Sequence, residues 1–318
     1  MVVYSEVQPA SPLPRLAAPE RADAAAETLI AYASAHRGLI ADELYRYGAI
    51  LFRGFRFGGA DGFQAFASAM CESLQEYAGG NSPRTRVSGS IFTSTEYSQR
   101  AKISLHNEAS YLRAMPRRIL FYCDVAPTDR GQTPLADCRR IYRRLRPDLI
   151  ERFETRRVTY INNMHDGAGP GRGWRDVFGA TERAEVERRL DADGYEYTWK
   201  PDGGLRTSIV ADAVARHPET GEPIWINQAE QWHPSSLAPA TWRALASMMP
   251  EADFPHHACF GDGTPLDEDD LAHIRQVMDE EEVVFEWRPE DVLLCDNYLV
   301  MHGRQPFSGP RRILCALG

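Results

Sequence analysis

The stretch Asp291-Val292-Leu293-Leu294-Cys295-Asp296-Asn297 is an apolar run that ends in a polar turn, and Met301-His302-Gly303-Arg304 follows it. Nine and ten residues after His302 come Arg311 and Arg312, which open a last apolar segment reaching residue 317. Short apolar runs bounded by turn residues read as buried strands. A histidine on one strand and an arginine returning on the next would place a guanidinium a few ångströms behind whatever the imidazole binds. Its fork geometry suits a carboxylate.

Working outward, further strands are expected at 48–55, 118–125, 157–162, 195–200, 205–210 and 283–287. Helical spacing marks 21–36, 62–74, 139–153, 181–191, 239–249 and 267–280. The first twenty residues, rich in Pro and Ala, read as an extended arm, and 165–173, with four glycines and a proline, as a lid-like loop. Strands gather towards both ends of the chain and no strand-helix unit repeats. This disfavours a doubly wound parallel sheet and favours a β core with helices packed outside. A length of 318 residues suits one large domain, 1–318, with an insertion at roughly 139–280.

A formal net charge of -9 argues against nucleic acid or an anionic membrane surface as partner. No apolar run is long enough to span a bilayer and no secretory leader is visible, so a cytoplasmic location is expected. Six cysteines without a CxxC pair read as free thiols in a reducing compartment.

The other chemical feature is Leu105-His106-Asn107-Glu108. Along a strand, residues two apart share a side, so His106 and Glu108 could face one ion. Alone, His-x-Glu is weak evidence. With His302 it completes two histidines and a carboxylate, a facial set that leaves three octahedral positions open and suits iron(II).

Six stretches then line up in order: 51–55 (Leu-Phe-Arg-Gly-Phe), 93–97 (Thr-Ser-Thr-Glu-Tyr), His106-Asn107-Glu108, 121–134 ending in Gly131-Gln132-Thr133-Pro134, 225–228 (Trp-Ile-Asn-Gln), and Asp296-Asn297 through His302-Gly303-Arg304 to Arg311-Arg312. Across most of its length the chain resembles the taurine dioxygenase and clavaminate synthase superfamily of iron(II)/2-oxoglutarate oxygenases. The resemblance implies a double-stranded β-helix, or jelly roll, mainly β with flanking helices. It also implies Fe(II), 2-oxoglutarate and O2 as cofactor and co-substrates. His106, Glu108 and His302 would be metal ligands, and Thr133 with an arginine after His302 would hold 2-oxoglutarate. Arg312 is the first choice for that arginine, on the expectation that its face carries Leu314 and Ala316; spacing alone leaves Arg311 open. Relatives carry a second arginine four residues on, where counting from Arg312 finds Ala316.

Glutamate as the acid ligand resembles the clavaminate synthase and amino-acid hydroxylase branch, and its presence disfavours halogenation. The implied reaction is hydroxylation of an amino acid or amino-acid-derived substrate, free or tethered to a carrier protein, in a biosynthetic pathway. Desaturation or cyclisation by the same cofactors is the alternative outcome. Arg84 and Asn227 are candidate substrate contacts, against the ordinary readings of a surface ion pair and a core amide. His256-His257 reads as an exposed loop, His165 as a loop residue near the pocket mouth, and Trp225 and Trp232 as core aromatics. A serine hydrolase lacks its Gly-x-Ser-x-Gly elbow here. A non-catalytic binding module would be expected to lose part of the triad, and all three residues are present.

Overall fold

The computed structural model describes residues 2–9, 11–21, 24–75 and 84–318. Its largest element is an eight-stranded sheet in the spatial order Val2–Gln8, Ser11–Pro19, Ala49–Phe52, Val292–Asp296, Arg118–Val125, Arg312–Leu317, Ile91–Thr93, Arg86–Ser88. A three-stranded sheet, Leu135–Asp137, Val300–Arg304 and Ile103–His106, packs against it through a shared core.

The central strands are apolar at nearly every position because both of their faces are covered. Leu51, Ile119, Phe121, Leu293 and Ile313 join Leu135 and Met301 in one core. Their neighbours Ile50, Leu120, Leu294 and Leu314 pack outward into a second core shared with the helices Ala26–Ala35, Arg37–Tyr47 and Ala60–Met70. This is the mainly β core with flanking helices that the resemblance implied. The two sheets keep separate hydrogen-bond ladders and do not close into a barrel.

Between Asp137 and Asp291 the chain builds an antiparallel sheet in the order Glu196–Trp199, Leu205–Ala211, Val158–Met164, His256–Phe260. The helix Arg183–Asp193 lies against it, burying Val186 and Leu190 beside Met164 and Leu205. Asp270, from the helix Glu268–Glu281, is buried with Arg146 and Arg152 paired to it.

Several local expectations change. The N-terminal arm is a hairpin whose second strand pairs in parallel with Ile50–Phe52, so its prolines sit near a sheet edge, where a missing N–H costs little. The helix expected at 21–36 is described only as Ala26–Ala35, and a second helix, Arg37–Tyr47, follows it. That helix ends at Gly48, whose φ of +81° and 2.4 Å Cβ clearance from Val300 admit only glycine. The 139–153 helix is two, Cys138–Arg144 and Pro147–Arg156, because a residue before proline is pushed out of the helical region. Residues 283–287 form no strand beyond one bridge, Leu135 to Val283; their alternation reflects the burial of Phe285 and Trp287. All six cysteines are buried and free, and among the described residues no helix is long and apolar enough to cross a membrane.

Candidate active site

The strand Ile103–His106 runs antiparallel to Val300–Arg304 with His302 directly opposite His106. Opposed residues bring their Cβ atoms to about 5 Å, and the two imidazole centroids lie 4.5 Å apart. His302 sits on the central strand of its sheet, and Phe121 of the facing sheet covers it at 5.0 Å.

Glu108 reaches these rings by a different route from the strand alternation expected for it. The strand stops at His106, and Glu108 lies in a turn held by three buried amides. Asn297 accepts from Glu108 N at 2.8 Å and donates to Glu108 O at 2.9 Å and Pro116 O at 2.9 Å. Asn107 donates to Asn297 O at 2.6 Å, and Gln228 donates to Asn107 O at 2.7 Å. The next residue, Ala109, is forced to a φ of +54°, the kind of local strain that persists only in an over-determined turn. His217 donates to Asp296 at 3.1 Å, bracing the start of the turn that carries Asn297.

One ligand atom from each of His106, Glu108 and His302 lies within 4.8 Å of the other two. The His106 Nδ1–H donates to Ser104 O at 2.8 Å, which leaves Nε2 as the lone-pair nitrogen. Burial holds both imidazoles towards the neutral form, His302 well below the usual histidine range. Two neutral imidazoles and one carboxylate converging in this way are the donor set that an iron(II) site requires.

Beside the triad lies a cavity of about 30 Å³ whose wall includes His106, His302, Phe121, Thr133 and Arg311. Arg311 donates through Nε to Gly131 O at 2.8 Å and lies 3.4 Å from Thr133 Oγ1, which also accepts from Trp287 at 3.0 Å. Arg312, the first choice from sequence, points the other way and pairs with Asp124 at 2.9 Å on the surface. The face expected for it, that of Leu314 and Ala316, is turned to the helix-covered core, while Ile313 and Cys315 face the triad side. A register shift separates Arg312 from Ile313. Burial, with Arg304 nearby, pushes Arg311 down to about 10, so its guanidinium stays charged at neutral pH.

The family model described as taurine catabolism dioxygenase TauD, TfdA family matches residues 9–317. The chain belongs to this family. It is therefore an oxygenase of the iron(II)/2-oxoglutarate type, and His106, Glu108 and His302 are its candidate metal-binding group. Among its relatives, the dapdiamide synthesis protein DdaC of Enterobacter agglomerans is 32% identical over 270 residues, 85% of this chain and 82% of that protein. A clavaminate synthase-like protein of Arabidopsis thaliana is 32% identical over 283 residues, 86% of this chain and 82% of that one. The crystal structure of PvcB from Pseudomonas aeruginosa shares the fold, with a TM-score of 0.59 at 16% identity over 99% of this chain and 90% of that one.

In this family member the remaining candidates divide. Arg84 is at the centre: it donates to Glu108 Oε2 at 2.6 Å and to Cys315 Sγ at 3.1 Å. Cys315 is four residues after Arg311, so Arg84, from a distant part of the chain, brings a second guanidinium to that position. Asn227 is buried and makes a structural turn with Ala213 O and Ala229 N, away from the cavities. Its neighbour Gln228 instead lines a chamber of about 230 Å³ with His106, Glu108, Trp232 and His256. His256 thus belongs to a strand and to this chamber, its ring 4.7 Å from Trp232. Trp225 and Trp232 are both core as expected, and Trp232 is also chamber wall. His165 bridges to Gly173 within the glycine-rich loop. The sequence signal that would have singled out Asn297 and Gln228 is an amide at the end of an apolar strand, which burial obliges to bond its neighbours.

Proposed function

We propose that the enzyme holds iron(II) on His106, Glu108 and His302 and binds 2-oxoglutarate through Arg311 and Thr133. With them it hydroxylates an unactivated C–H bond of an amino acid or amino-acid-derived substrate in a biosynthetic pathway. The observation that carries this reading is the position of the triad between two spaces. One is the small cavity walled by Arg311 and Thr133, and the other is the larger chamber walled by Gln228, Trp232 and His256.

When bound, iron(II) with 2-oxoglutarate and O2 supplies the oxidising power, one oxygen entering the substrate and the other leaving in succinate with release of CO2. The protein's residues do the positioning. Arg311 offers a bidentate fork to the far carboxylate, and Thr133, oriented by Trp287, adds a hydroxyl. Arg84 spans from Cys315 to Glu108 and fixes the carboxylate's rotamer while leaving it lone pairs for the metal. Tyr97, Gln228, Gln231 and His256 present polar groups suited to the head of an amino acid. The biosynthetic assignment is supported by the dapdiamide synthesis role in the name of DdaC and by the description of PvcB as an oxygenase from an isonitrile synthetic pathway.

The test is anaerobic addition of iron(II) and 2-oxoglutarate, reading the weak visible metal-to-ligand charge-transfer band. Wild type should form the band and His106→Ala should not. A folded, iron-loaded wild type without the band overturns the reading.

A further inference from the structure

The chamber beside the triad has Tyr111 and Trp232 in its wall. A second chamber of about 230 Å³ shares Tyr111 and Trp232 as walls and extends away from the metal ligands, between the four-stranded sheet and the helix Arg183–Asp193. The dividing wall is aromatic: Trp232 lies edge-on to Tyr111 and to Tyr160, each at 5.3 Å. Beyond it the lining is largely apolar, with Met164, Val177, Phe178, Leu190 and Ile209. Arg189, also at this wall, is committed to Phe178 O and Glu185, so no cation is offered to an anionic occupant. A space of this size far exceeds the roughly 30 Å³ of a single water, the scale of void that packed interiors leave. Either chamber alone is smaller than the roughly 300–1,000 Å³ of ordinary ligand sites.

Resting on the reading of the triad given above, we propose that the two chambers form one substrate site. The amino-acid head lies beside His106 and Glu108, and an uncharged apolar tail, alkyl or aryl, passes Tyr111 and Trp232 into the second chamber. The enzyme is thus selective for an amino acid extended by such a tail over the bare amino acid.

The test uses amino acids N-acylated with straight chains from acetyl to decanoyl, titrated calorimetrically into enzyme loaded with Mn(II) and 2-oxoglutarate. Affinity should rise about fourfold per methylene until the chamber is full. Ala192 is an exposed position on the chamber wall, so Ala192→Trp should fill the space without disturbing the core. It should abolish most of the gain from lengthening and leave the acetyl probe unchanged; Val177→Trp, from the opposite wall, should do the same. A wild-type series in which no member gains from lengthening, including one in which none binds, overturns the proposal, as does a gain that survives both substitutions. The charge-transfer band separates the two failures: if it forms in wild type while length has no effect, only the second chamber is misassigned.

Discussion

The side-chain amide of Asn297 grips the backbone of Glu108 from both ends, accepting from its N–H at 2.8 Å and donating to its carbonyl at 2.9 Å. Glu108 follows the last hydrogen-bonded residue of its strand, so this clamp, rather than the sheet, sets where the carboxylate points. Asn297→Ala would strand buried groups on Glu108 and Pro116, each costing about 1–3 kcal/mol. The expected outcome is a marked drop in thermal stability and a metal affinity weaker by about 10- to 100-fold. Titration of iron(II) or Mn(II) into the folded variant at low temperature checks it; affinity within twofold of wild type would show that the clamp is dispensable.

Arg311 and Arg312 are adjacent, yet only Arg311 lines the cavity beside the triad. Arg311→Ala should raise the dissociation constant of 2-oxoglutarate by about 10- to 100-fold, the loss expected of charge-assisted hydrogen bonds. Arg312→Ala should leave it within about twofold, since a surface pair contributes little. Calorimetric titration of 2-oxoglutarate into Mn(II)-loaded enzyme distinguishes them, and the reverse ranking would restore Arg312 to the role.

Gly131 holds a φ of +77°, and a Cβ there would meet Phe307 at 2.9 Å and the Arg311 side chain at 3.1 Å. Gly131→Ala should therefore displace the fork whose Nε it accepts and weaken 2-oxoglutarate binding several-fold. The strained backbone should also cost roughly 1–2 kcal/mol of stability. The same titration, paired with a melting curve, reads both effects.

Glu230 is buried, and burial pushes its carboxyl from 4.5 up to about 7, only partly countered by Arg275. Its folded form thus keeps a proton that the unfolded chain releases, so stability is greatest below about pH 4.5 for this group and declines as pH rises towards about 7. Melting temperatures of wild type should carry this decline across that window. Glu230→Gln should remove it and be the more stable protein at about pH 8. Parallel slopes for the two proteins would show that Glu230 ionises without penalty.

The sheet core was legible in the sequence wherever strands are covered on both faces. The runs 49–52, 118–125 and 292–296 have few polar positions, and such runs have no other stable home than a buried sheet. The triad residues were legible as chemical types, because two histidines and an acid beside strand-like segments are a restricted donor set. Where the reading failed, either the deciding contact was remote or a local breaker was passed over in favour of periodicity. Residues 283–287 alternate like a strand but spend their apolar groups on packing, and Arg146-Pro147 splits a helix that periodicity alone joined.

By itself, then, the sequence determined the apolar strands, the helices around them and the chemical identity of the triad side chains, all of which follow from local pattern and residue type. Only the tertiary structure decided which side chains meet. It opposed His302 to His106 through strand register, set Arg311 rather than Arg312 against the small cavity, and brought Arg84 to Glu108 and Cys315. It also placed Gln228, and not Asn227, beside the triad. In a strand a single step in register exchanges inside for outside, and that step is set by pairing with segments far away in the chain, as between Val292 and Phe52, about which the local sequence carries no information.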